Sequence, residues 1–233
     1  MKLIDSIISS KRSVVGLRDE YPAGHTDPAH THDRAQFLYA CSGVMSVITS
    51  SSTFIIPPHR ALWLPVGVEH EVSCRGPVSL RTLYIDPAYA SGATVCRVVE
   101  VSDFLKALIL EVVLFDTTHN PTGREERIIG LLLDEIACMP HAPFCAPMPV
   151  DDRLLRVCKA IIANPSDQRD IDDWANLACM GRRTFTRAFQ RETGMGLAVW
   201  RQQVRLMAAL SMIASGVPVA NVAFETGYGS PSA

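Results

Sequence analysis

The sequence predicts an α+β protein in two parts, an antiparallel β sandwich or barrel followed by a helical region. Three observations predict it. From about Ser13 to Pro87, short apolar runs such as FLYACSGVMSVITS and TFIIPPHRALWLPVG are broken by Gly43, Pro57, Pro58, Pro65, Gly67, Gly76 and Pro77. Around residue 102 the apolar positions change to three and four spacing. Beyond Asp151 every apolar segment is helical in pattern and stops at Gly or before Pro.

The bulk composition agrees with a folded chain. At 233 residues two modest domains can each bury a core, and 48% hydrophobic with 20% charged residues excludes a disordered chain. No apolar run reaches the roughly 18 residues of a membrane span. The opening MKLIDSIISSKRS is interrupted by Asp5 and Lys11, so no secretory signal is expected and the cytoplasm is the expected location. Seven scattered cysteines without a C-x-x-C pair are expected to be reduced thiols.

The elements follow in order. The β-rich part is expected within residues 1–100. In the segment 101–150, VSDFLKALILEVVLFD and REERIIGLLLDEIACM read as two linker helices, and MPHAPFCAPMP reads as an extended, proline-stiffened connection. In 151–233 the helices are RLLRVCKAIIAN, DIDDWANLACM, RRTFTRAFQRETG, LAVWRQQVRLMAALSMIASG and VANVAFETG. The two short helical units after residue 170 suggest a weak internal duplication.

Charge divides the same way. The net charge of −2 separates into −4 over residues 1–150 and +2 over 151–233. Between 181 and 206, Arg182, Arg183, Arg187, Arg191, Arg201 and Arg205 face only Glu192. Such a patch suits phosphate, although a solvated helix face has the same composition.

In DIDDWANLACMGRRTFTRAFQRETG, Trp174, Leu177 and Ala178 share one helix face, and Met180-Gly181 reads as a tight turn that uses the glycine. Phe185, Ala188 and Phe189 form an inward stripe on the next helix, leaving Arg183, Thr186, Arg187 and Gln190 opposite. A helix in the DNA major groove needs this combination, an apolar back and a front able to bond base edges. Arg182 and Arg191, at its edges, are placed for phosphate.

Residues 151–233 resemble the DNA-binding region of AraC-type transcriptional regulators, through WANLACMGRRTFTRAFQRETG, WRQQVRL and VANVAFETGYGSPSA. The resemblance implies two helix-turn-helix units joined by a long helix, here 197–215, with Arg183, Thr186 and Arg187 as base readers. The second unit is expected to be incomplete: Ser230 and Pro231 read as the cap and first residue of its recognition helix, and the sequence stops at Ala233. Residues 217–233 are therefore expected to be loosely held.

The β-rich part contains His30-x-His32, then Gln36 and Gly43, and later Pro65-x-Gly67-x-x-His70. These resemble the two motifs of the cupin barrel, a jelly-roll-like fold. Gln36 stands where a cupin has glutamate, His59 where it has glycine, and Cys74 where asparagine is common. On a strand His30 and His32 point to one face, and His70 joins them from a paired strand. Three imidazoles can hold zinc, nickel or iron with Gln36 or water completing the shell. The same residues can instead line a metal-free pocket for an organic effector. His25 and His119 lack partners at motif spacing and are expected on the surface.

Together these readings point to a one-component regulator: a cupin domain that senses a small molecule or metal, linker helices that dimerise, and helices that bind promoter DNA. The alternatives are a metal-dependent cupin enzyme of dioxygenase or isomerase type, or a sensor and dimerisation module with impaired DNA binding. No phosphate-binding loop, G-x-S-x-G or H-E-x-x-H is found, and Gln36 removes the carboxylate such an enzyme would use, so catalysis is not expected.

Overall fold

The computed structural model describes residues 12–74, 76–90, 94–142, 145–214 and 216–228. The chain divides into two compact units, residues 1–47 with 56–143, and residues 48–55 with 144–233. The boundary falls inside a β hairpin as well as within the proline-rich stretch.

The first unit is built on strands β1 (Val14–Tyr21), β2 (Thr26–His30), β3 (Ala35–Ser42), β4 (Met45–Thr49), β5 (Ser52–Ile56), β6 (Arg60–Leu64), β7 (His70–Cys74), β8 (Val78–Ile85), β9 (Arg97–Glu100) and β10 (His141–Ala142). The tip of the β4–β5 hairpin belongs to the second unit. An antiparallel sheet runs β1-β8-β3-β6-β9-β10, and a smaller one places β4 beside β7 and β7 beside β2. The register of β1 on β8 is unbroken from Val14 opposite Ile85 to Tyr21 opposite Val78. Strict alternation then puts Val14, Leu83 and Ile85 on one face of the large sheet and Val15, Leu17 and Tyr84 on the other.

The first of these faces carries two helices, α1 (Asp103–Val112) and α2 (Gly123–Cys138). Ser102 caps α1, and Thr122 with Glu125 forms a capping box on α2. Leu105, Ile109, Leu132 and Ile136 from the helices share one buried cluster with Phe37, Tyr39, Trp63 and Leu83 from the sheet. A fully buried Leu or Ile contributes about 1.5–3 kcal/mol, so these helices stabilise the sheet they cover. β1 approaches so closely that a Cβ on Gly16 would lie 2.7 Å from Val113 Cα.

The second unit begins with the hairpin tip and strand β11 (Cys145–Pro147), which pairs antiparallel with β5. Helices α3 (Asp152–Ala163), α4 (Ile171–Leu177), α5 (Arg182–Thr193), α6 (Leu197–Ala214) and α7 (Val219–Glu225) follow. The described residues of the proline-rich connection include strands β10 and β11. The core holds Trp174, Phe185, Phe189 and Trp200, each fully buried. Among the described residues, no helix is long and apolar enough to cross a membrane.

The suspected duplication is visible in the backbone. The bonds Ala178 N–H to Trp174 O, Cys179 N–H to Asn176 O and Met180 N–H to Ala175 O recur 48 residues on as Thr226 to Val222, Gly227 to Phe224 and Tyr228 to Ala223. Ser230 and Pro231, expected to open a further helix, lie outside the described residues.

Candidate functional site

The histidine motif is assembled by a strand irregularity and a glycine turn. Along β2, Asp27 lies opposite Val72 of β7, but a bulge follows and places His30 opposite His70. Without the extra residue His30 would face Glu69, so the bulge brings the two imidazoles together. β2 ends at His30, so His32 lies just past the strand. A turn holds it there: Gly67 donates its N–H to the His32 carbonyl at 2.9 Å. Gly67 has φ +74°, a conformation that suits glycine, and Val68, next along the same turn, accepts a bond from His70 Nδ1 at 2.9 Å.

The three rings converge, with centroid separations of 4.7 Å for His30–His32, 4.5 Å for His30–His70 and 5.5 Å for His32–His70. One ligand atom from each lies within 4.8 Å of the others. His30 Nδ1 donates to the Pro28 carbonyl at 2.7 Å and His70 Nδ1 to that of Val68, so on both rings Nε2 is the nitrogen not engaged by the backbone. The Nε2 atoms of His32 and His70 are closed to solvent and have no hydrogen-bond partner. Burial first, then the neighbouring His30 and His70 rings, push His32 down to about 4. Burial also lowers His70. An Nδ1 tied to a backbone carbonyl, as on His30 and His70, is the arrangement that orients a histidine to bind a metal through Nε2.

Gln36 is buried on β3 opposite Tyr84 and hydrogen-bonds the Tyr84 hydroxyl, leaving its own Oε1 without a partner. Tyr84 also packs edge-on against His32, with centroids 5.1 Å apart. Gln36 is thus joined to the cluster through Tyr84. The three imidazole nitrogens are a donor set that fits a late first-row divalent ion.

The structure corrects the expectation for His25, which is not a free surface group. Its ring stacks on Tyr21 at 4.0 Å and its Nε2 bonds Asp27 Oδ1 at 3.1 Å, while the Tyr21 hydroxyl donates to the other Asp27 oxygen. His119 is exposed, and its carbonyl accepts from the Arg12 guanidinium. Sequence reading missed Asp27, Tyr21 and Tyr84, because they lie outside both motifs and only strand pairing brings them near. At His59 the backbone keeps the left-handed φ of +63° that glycine usually supplies.

On α5 the inward residues Phe185, Ala188, Phe189 and Thr193 are buried, and Arg183, Thr186, Arg187 and Gln190 are exposed. Arg183 and Arg187 make no ion pair or side-chain hydrogen bond among the described residues, so both guanidiniums are available to a ligand. The Thr186 hydroxyl donates to the Arg182 carbonyl at 2.9 Å and keeps its oxygen lone pairs outward. Arg182 pairs with Asp172 at 3.2 Å and Arg191 with Glu192 at 3.0 Å, exposed contacts of small energy that phosphate can replace. Two arginines sit at the helix N-terminus against the macrodipole, without a side-chain cap. That placement costs stability in the free protein and suits an anion.

Two details differ from the sequence reading. The left-handed residue of the α4–α5 turn is Cys179, at φ +53°, and Gly181 is an ordinary extended N-cap at φ −67°. The turn is a helix C-cap two residues before the glycine, closed by Met180 N–H on Ala175 O. Arg201 and Arg205 do not belong to the basic face. Arg201 bonds the Arg169 and Asp167 carbonyls beside the Trp174 ring, and Arg205 bonds the Pro165 carbonyl at 2.9 Å.

Residues 13–132 match the family model of the AraC-like ligand binding domain, and residues 174–233 match that of a helix-turn-helix domain. The chain is 28% identical over 208 residues to the HTH-type transcriptional regulator NimR of Escherichia coli K12, covering 89% of this chain and 76% of NimR. It is 28% identical over 86 residues to the HTH-type transcriptional regulator RipA of Corynebacterium glutamicum, covering 37% of this chain and 26% of RipA. Among solved structures, ToxT from Vibrio cholerae O395 superposes with a TM-score of 0.42 at 11% identity, over 95% of this chain and 91% of its own.

Proposed function

The chain belongs to the AraC family of transcriptional regulators, with an N-terminal ligand-binding domain and a helix-turn-helix DNA-binding region, and from that premise we propose which residues carry each task. Arg183, Thr186 and Arg187 read base edges in the major groove, and Arg182 and Arg191 hold the flanking phosphates. The effector is a divalent transition metal, zinc, nickel or iron, held by His30, His32 and His70. The protein works in the cytoplasm and catalyses no reaction.

One observation carries the effector reading. Two buried imidazole nitrogens, on His32 and His70, have no partner, and one ring nitrogen from each of His30, His32 and His70 lies within 4.8 Å of the others. Buried polar atoms without partners cost about 1–3 kcal/mol each, a cost an ion between them removes. Through His30, His32 and His70 a bound ion would link β2, the segment just past it and β7. Gln36 supports sensing over chemistry, since its amide is engaged with Tyr84 and provides no carboxylate for proton transfer.

Metal content of the purified chain tests this, with His32→Ala as control. About one equivalent of a transition metal in the wild type, lost in the variant, is the expected result. Less than a tenth of an equivalent after incubation with zinc, nickel and ferrous salts would sink the metal reading and leave an organic-effector pocket.

The active form is a homodimer. The outward face of α2 presents Arg127, Leu131 and Asp134. Against a second copy running antiparallel, Arg127 meets Asp134 and Leu131 packs at the centre. Sedimentation of Asp134→Arg beside the wild type checks it, and an unchanged dimer would remove α2 from the interface.

A further inference from the structure

The second unit contains a route from the β4–β5 hairpin to the basic helix through residues that face no DNA. The hairpin tip, residues 48–55, belongs to the same compact unit as the helices. Thr49 pins it, exchanging bonds with Ser52: its hydroxyl donates to the Ser52 carbonyl and accepts the Ser52 N–H, each at 3.0 Å. β11 then adds to this hairpin as an edge strand, with Pro147 opposite Ser52 and Met148 N–H on the Ser51 carbonyl at 2.8 Å.

The other edge of β11 meets the long helix. Trp200 Nε1 donates to the Pro147 carbonyl at 2.7 Å, and Gln203 Nε2 to that of Cys145 at 3.4 Å. Trp200 is fully buried, and its ring stands edge-on to Phe189 at 5.8 Å. Phe189 belongs to the inward stripe of α5, whose outward side carries Arg183 and Arg187. Just past β11, Glu192 of α5 accepts the N–H groups of Val150 and Asp151 at 3.1 and 2.9 Å. Residues 145–151 therefore form a strap held by the hairpin on one side and by α5 and α6 on the other.

We propose that Trp200 is a positioning residue for DNA binding: its N–H holds the strap in register with the hairpin tip, and its ring sets the seat of α5. Displacement of residues 48–55 then moves Arg183 and Arg187 relative to the groove. The hairpin supplies a covalent route from the ligand-binding domain, because Met45–Val47 of β4 lie in the first unit beside β7, which begins at His70. This coupling predicts a measurable interaction between Thr49 and Trp200 in DNA affinity. It rests on the reading of α5 as the groove-facing helix.

The test is a double-mutant cycle on the full chain, Thr49→Ala, Trp200→Phe and both together. The readout is affinity for a duplex selected from total genomic DNA by the wild type. Phenylalanine keeps an aromatic ring beside Phe189 and removes the donor together with part of the indole volume. Each single change is expected to weaken binding about threefold or more, with the double variant no weaker than the worse single. Trp200→Phe should also lower the melting midpoint somewhat, so its affinity is read well below that midpoint; a loss that persists where the variant is fully folded is a result a merely structural role would not give. Wild-type affinity in Thr49→Ala, or losses that multiply, would overturn the proposal. If Trp200→Phe does not fold, Gln203→Leu replaces it in the cycle with the same criteria. Arg187→Ala is run in parallel: unchanged affinity there strikes the α5 reading, whereas a loss there with a multiplicative cycle strikes the strap alone.

Discussion

Gly67 donates its backbone N–H to the carbonyl of His32, 2.9 Å away, so the second histidine motif holds the first in place. The turn does this in a left-handed conformation, φ +74°. Gly67→Ala keeps the donor but adds a Cβ that this conformation disfavours, and should destabilise the ligand-binding domain by about 1–2 kcal/mol. Urea unfolding followed by tryptophan fluorescence measures it, and an unchanged midpoint would show that the turn is not strained.

The basic residues of the helical region divide by what they touch. Arg187→Ala should cost about 1–3 kcal/mol on a specific duplex and leave the melting temperature where it is. Arg205→Ala should do the reverse, because its guanidinium holds the Pro165 carbonyl inside the fold. Equal effects of the two on DNA affinity would contradict this division.

Cys179 occupies a left-handed position that its counterpart Gly227 fills with glycine. Cys179→Gly should raise the stability of the DNA-binding region by about 0.5–1 kcal/mol, the relief of left-handed strain exceeding the added chain entropy. Its thermal midpoint should rise; a fall would mean that the thiol makes a contact worth more than the strain.

Acid should loosen the start of α3. Bonds from the Arg153 side chain and backbone hold Asp151 down to about 2, below its ordinary value of 3.8. A carboxyl lowered by folding contributes its stabilisation fully above about pH 4 and loses it as the pH falls towards 2. Helical signal followed by circular dichroism should therefore decline over that window, and Asp151→Asn should flatten the decline. A profile identical in both proteins would remove this cap as the cause.

Packing also reassigns α1. Leu105 is fully buried in the cluster shared with the large sheet, so Leu105→Ala should cost the ligand-binding domain about 2–5 kcal/mol. A loss under 1 kcal/mol would mean that α1 behaves as a separable linker. Sequence periodicity showed this helix and its apolar face, but the surface that face would meet was out of its reach.

What the sequence determined by itself is whatever depends on near neighbours. Alternation and three-four spacing marked the strands and helices, the inward stripe Phe185–Ala188–Phe189 set the outward face of α5, and His30-x-His32 with Pro65-x-Gly67-x-x-His70 named the imidazoles. Tertiary structure alone decided which of these groups meet. The bulge after Asp27 set His30 opposite His70, strand pairing brought Gln36 to Tyr84, and burial turned Arg201 and Arg205 away from the basic face. The physical reason is range. Spacing along the chain fixes which way a side chain points within its own element, whereas register, burial and partner depend on residues tens of positions away.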